Sequence, residues 1–174
     1  FLRGRKNHNM SWIIVAIIVP VPLFHLWLHA LLSFWKKKPL LFYIFVLLIW
    51  IGTFLFFKPI DVISPIFFTP SDILIAFGFI LMSIGAILVL SSIITLGLKR
   101  FFMWAVLYPQ SVQQTRLISG SFKFIPHPAY TGYLLVALGN FLLSGKLYLA
   151  LVFIFLFALT PIMIYFEEKE LSAR

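Results

Sequence analysis

The sequence predicts an all-α fold, a polytopic transmembrane helical bundle of about five spans that closes with a C-terminal helical hairpin. Three observations carry that expectation. Hydrophobic residues make up 62% of the 174 residues, charged residues only 11%, and mean hydropathy is +1.06. A soluble domain is about half apolar and has no interior large enough for such a composition. The apolar residues also fall into runs close to the ~20 residues that cross ~30 Å of hydrocarbon. Lysine and arginine gather at the ends of those runs, where they anchor and orient spans.

This placement explains the net charge of +9 without nucleic acid, which is not expected as a partner. Basic residues at run ends suit membrane lipids and their headgroups. Cysteine is absent, which excludes disulfides, thiolate catalysis and cysteine-based metal sites. Phe1 is not a natural start, so the sequence is expected to be a piece of a longer one. Its first apolar run is too long for a signal peptide and lacks a small-residue cleavage site.

In chain order, the first run spans about Trp12 to Trp35 and ends at the anchor Lys36-Lys37-Lys38-Pro39. The second covers Leu40 to Phe57 and is expected to stop at Lys58-Pro59, because an internal proline removes a helix hydrogen bond. Asp61 to Ser71, with Pro65 and Pro70, reads as a loop. Asp72 is placed as the cap of a third run to about Leu96. Asp61 and Asp72 are otherwise assigned to capping and solvation.

Gly97 to Pro128 is too polar to span, yet Phe101, Phe102, Trp104 and Tyr108 keep it at the interface. Structureless connections of that length tend to be functional. Tyr130 to about Leu143 and Leu147 to Phe166 form the last two runs, joined by the tight turn Ser144-Gly145-Lys146. The chain thus divides into N-terminal helices over 1–96 and a loop-plus-hairpin region over 97–174, within one membrane domain. Alternating the runs across the bilayer puts nine basic residues on the side of the long loop and C-terminus, and five on the other. That bias places the loop and C-terminus in the cytoplasm.

Polar residues inside such a sequence require a reason. His25 and His29 share a helix face at i and i+4. The spacing suits a metal, but no further ligand is evident nearby, and backbone carbonyls freed by Pro20 and Pro22 give the imidazoles a structural use. His127 lies between Pro126 and Pro128, which fix the chain's approach to the fourth run. Gly132, one turn on, permits a close approach by a neighbouring helix or ligand. Glu167, Glu168 and Glu170 end the fifth run. They are either a solvated tail or, being opposed by the helix dipole, acids in need of a cationic partner. The hairpin returns them to the side of the membrane that holds His127.

The segment from Leu117 to Gly132, read with Glu167-Glu168, resembles the core of the isoprenylcysteine carboxyl methyltransferase-like family, to which phospholipid N-methyltransferases are related. That family orders a leucine, a glycine, an aromatic residue, Arg-His-Pro, a tyrosine and a glycine ahead of an apolar hairpin and a glutamate pair. Leu117, Gly120, His127, Pro128, Tyr130, Gly132, Glu167 and Glu168 match it, and Phe122 stands for a tyrosine. The resemblance covers about 96–171.

It implies an S-adenosyl-L-methionine pocket lined by Leu117, Gly120, His127, Tyr130, Glu167 and Glu168 and covered by the interfacial loop, with Arg116 and Arg100 near the acceptor and no metal. The acceptor it implies is lipophilic, foremost the carboxylate of a prenylcysteine-like substrate. A phospholipid amine, a reductase relative using NADPH and a non-catalytic scaffold are the alternatives. Pro126 replaces the family's arginine, a residue suited to bidentate carboxylate binding. Either Arg116 or Lys123 compensates, or the substrate or activity differs. Methyl transfer to a carboxylate needs positioning and desolvation, whereas an amine must also lose a proton, to His127 or a glutamate.

Overall fold

The computed structural model describes residues 11–108, 110 and 119–172. Its helices are α1 Ser11–Ile18, α2 Pro20–Ala30, α3 Leu32–Lys37, α4 Pro39–Ile63, α5 Asp72–Leu96, α6 Leu98–Phe101, α7 Trp104–Leu107, α8 Pro128–Ser144 and α9 Leu147–Ser172. A 3-10 turn covers Gly120–Lys123. Among the described residues no strand forms, only an isolated bridge between Ile66 and Lys146.

Four segments are long and apolar enough to cross a membrane: Ser11–Ala30, Pro39–Ile63, Asp72–Leu96 and Leu147–Lys169. The 17-residue α8 is shorter and packs along α5. The expected first run is divided. Pro20 and Pro22 lack the N–H groups that would continue α1 smoothly, and a second break falls at Leu31 (φ −123°, ψ 32°). Trp35 Nε1 then donates to the Trp27 carbonyl at 2.9 Å, folding α3 back on α2.

Three boundaries differ from expectation. First, α4 runs through Pro59 to Ile63. Asp61, expected in a solvated loop, is buried there and accepts from Lys146 Nζ at 2.8 Å and from the Tyr148 hydroxyl at 2.7 Å. These contacts fix the last turn of α4 against the start of α9. Second, the cap of α5 is Ser71, whose Oγ accepts from the Leu74 amide; Asp72 is the first residue of the helix, where its charge complements the dipole. Third, α9 extends past Phe166, so the glutamates stand within the helix.

The tightest packing joins α5 to α8, antiparallel. At Gly78 against Gly139, and Gly85 against Gly132, each glycine leaves the backbones so close that an added Cβ would fall 2.6–2.9 Å from the facing carbonyl oxygen. Only hydrogen fits at these four positions, the small-residue crossing familiar in lipid-embedded helices. The turn at Gly145 (φ 65°) reverses the chain into α9, as expected from Ser144-Gly145-Lys146.

The first span lies inside the bundle and is the most buried of the four. Val15, Ile18 and Val19 pack with Phe57, Ala137, Leu149 and Leu156, while Val21, Phe24 and Leu28 pack with Trp35, Phe42, Val46 and Leu107. Large apolar side chains such as Leu48, Leu55, Ile73, Phe79, Ile94, Ile154 and Phe157 face outward, as a lipid solvent permits. Beyond Gly97, Trp104 stacks on Tyr43 with ring centres 6.2 Å apart, and the Tyr43 hydroxyl donates to the Phe102 carbonyl.

Candidate functional site

The start of α8 and the end of α9 meet, because the α8–α9 turn is short and the two helices run antiparallel. His127 is the N-cap residue of α8 and Pro128 its first residue. Proline suits that position, where its missing N–H costs nothing. The imidazole is thereby set at the helix mouth. Its Nε2 lies 3.2 Å from Glu168 Oε1 and its Nδ1 lies 3.6 Å from Glu167 Oε2. The histidine side chain is only 15% exposed, whereas the two glutamates are about two-fifths exposed. Glu167 raises the His127 pKa above its usual value chiefly through hydrogen bonding, with Glu168 adding to the effect and burial opposing it. The Glu168 contact is the shorter, and each ring nitrogen faces its own carboxylate, so the protonated imidazole donates toward both acids.

Tyr130, one turn into α8, stacks on His127 at 5.9 Å between ring centres and 22° between planes. Its buried hydroxyl lies 3.0 Å from Nδ1 of His25. His29 stacks on Phe166, the residue preceding the acid pair, at 5.8 Å and 11°. The site therefore draws on α2, α8 and α9.

His127, Tyr130, Glu167 and Glu168 come together as the sequence suggested. Gly120 is seated on the end of α5, where a Cβ would come 2.5 Å from Thr95 Oγ1. Arg100 is on α6, just past the Gly97 break. Leu117 and Arg116 lie outside the described residues, as does much of the loop expected to cover the pocket. Gly132 makes its close approach to α5. His25 and His29, read from sequence as carbonyl-bonded or metal-spaced, meet Tyr130 and Phe166. Their signal was present in the sequence: two imidazoles one turn apart in a span must face the bundle interior.

The antiparallel arrangement gathers Lys36, Lys37, Lys38, Lys99, Arg100, Lys123 and Lys169 at the end of the bundle that carries His127. Lys58 and Lys146 lie at the other end. Two carboxylates about two-fifths exposed beside one imidazole offer acceptors for positive and hydrogen-donating groups.

A family model described as phospholipid methyltransferase matches residues 73–174, more than half of the chain. The chain belongs to the phospholipid methyltransferase family. Membership indicates a membrane-bound methyltransferase, in agreement with the four apolar helices. No curated protein and no solved structure matches the chain. The family region opens one residue into α5 and contains the whole His127–Glu167–Glu168 cluster. His25 and His29 reach that cluster from outside it.

The residues fit the methyl donor that such an enzyme requires. S-adenosylmethionine carries an ammonium group, a sulfonium and ribose hydroxyls. Two half-open carboxylates and stacked aromatic rings are complementary to those groups.

Proposed function

We propose that this protein transfers a methyl group from S-adenosylmethionine to a lipophilic acceptor reached from the bilayer. The observation that carries the proposal is the convergence of His127, Glu167 and Glu168 within the family-matched region. The cofactor, when bound, supplies an electrophilic methyl group. Glu167 and Glu168 would hold its ammonium or ribose hydroxyls, and Tyr130 would present a π face to its positive charge. Leu117 and Gly120 would complete the wall of the pocket, with Arg116 and Arg100 beside the acceptor. The basic end of the bundle would face the cytoplasm.

The family supports the amine headgroup of a phospholipid as acceptor. An amine has to shed a proton to attack, and His127 with its two carboxylates is a proton-accepting cluster at the right end of the molecule. The prenylcysteine carboxylate is the second reading, supported by the order of the motif. Pro126, standing where that reading requires an arginine, weakens it. Methyl-labelled donor and a membrane lipid extract distinguish the two. An N-methyl product keeps its label in base, whereas a methyl ester releases it as methanol. Absence of label from every lipid, with full-length protein, would overturn both.

A further inference from the structure

We propose that His25 is a positioning residue that acts through Tyr130 and His127 to orient the Glu167 carboxylate toward the methyl donor. The proposal rests on the reading of the site given above, and extends it to a helix outside the family-matched region.

The Tyr130 hydroxyl lies 3.0 Å from His25 Nδ1, and the Tyr130 ring stacks on His127 with centres 5.9 Å apart and planes at 22°. His127 in turn reaches Glu167 Oε2 at 3.6 Å and Glu168 Oε1 at 3.2 Å. The contacts thus run from His25 to Tyr130, from Tyr130 to His127, and from His127 to the acids. A network of this kind removes rotational freedom from its members. It also ties the Glu167 carboxylate to α2 and α8.

Packing alone does not account for His25. It is 5% exposed in the middle of a span, where an apolar residue would fill the space without burying polar atoms. Carbonyls freed by the nearby prolines offered it a local partner, yet it bonds a side chain of the site. One turn further on, His29 stacks on Phe166 and steadies the same end of α9 from the side.

The test is binding of S-adenosylhomocysteine to the detergent-solubilised full chain by calorimetry, alongside melting temperature, for His25→Leu, His25→Asn, Tyr130→Phe and the pair His25→Leu/Tyr130→Phe. Loss of one hydrogen bond in the chain should weaken binding by roughly tenfold in His25→Leu. His25→Asn, which places the polar atoms of its amide near where Nδ1 stands, should stay within about threefold of wild type. In the Tyr130→Phe background, His25→Leu should add less than about twofold, because the two act as one unit. Equal weakening in both backgrounds, or unchanged binding with a lowered melting temperature, would overturn the proposal. If His25→Leu does not fold, His25→Gln takes its place; it carries its amide at the Nε2 position and should bind worse than His25→Asn, and equal binding would count against the idea. Wild-type protein that binds nothing would instead overturn the methyl-donor reading on which this one stands.

Discussion

Nε2 of His127 lies 3.2 Å from the Glu168 carboxylate and closes the open end of the α8–α9 hairpin. The contact joins the first residue before one helix to the last turns of the next, and it exists only because the Gly145 turn is tight. It also resolves an electrostatic conflict. Two adjacent acids near the C-terminus of α9 oppose the helix dipole, and an imidazolium between them offsets that cost.

The raised pKa of His127 sets a pH dependence of stability. A group whose folded pKa exceeds its unfolded value contributes fully below the unfolded value and loses that contribution as pH rises through the folded one. Melting temperature in detergent should therefore fall as pH rises from about 6 through that raised value. His127→Gln should show a smaller fall. Equal slopes would count against the pairing.

The same proton competes with a cationic ligand for the carboxylates. S-adenosylhomocysteine affinity should increase over that pH range in the wild type, and change less in His127→Gln. A titration by calorimetry at several pH values checks this.

Gly132→Ala should cost about 1–3 kcal/mol, since its Cβ would fall 2.6 Å from the Gly85 carbonyl oxygen. Gly52→Ala is the control. Nothing lies within 4 Å of its added Cβ, and alanine improves an exposed helix by up to about 1 kcal/mol. Thermal melts of the two variants should move in opposite directions.

Lys146→Met leaves Asp61 buried with only Tyr148, and removal of one partner from such a pair costs about 3–5 kcal/mol. Replacing both, as Asp61→Leu with Lys146→Met, should be less damaging than the single change. A double variant no better than the single would show that the ion pair is not what couples the end of α4 to the turn.

Much of this was legible in the sequence because lipid imposes simple rules. Run length and basic flanks located the spans, and the third run, expected to be capped by Asp72 and to end at about Leu96, lies within a residue of α5 at its start. The spacing of His127 and the glutamates in a hairpin announced that they meet. Pro59 misled, since a helix continues through a proline when later turns are held by tertiary bonds, here those of Asp61 with Lys146 and Tyr148. The partner of Tyr130 could not be read, because the placement of α2 against α8 depends on packing between distant segments. The Gly85–Gly132 crossing was half visible: one glycine was noted, but the helix it would meet was not.

The most direct test of the methyl-donor site is calorimetric binding of S-adenosylhomocysteine to the detergent-solubilised full chain, compared between wild type and Glu167→Gln/Glu168→Gln. The account expects wild-type binding at about micromolar concentrations. Loss of both charges should weaken it by at least about tenfold, the scale of one charge-assisted bond. No binding by the folded wild type, or the same affinity in the double variant, would contradict it.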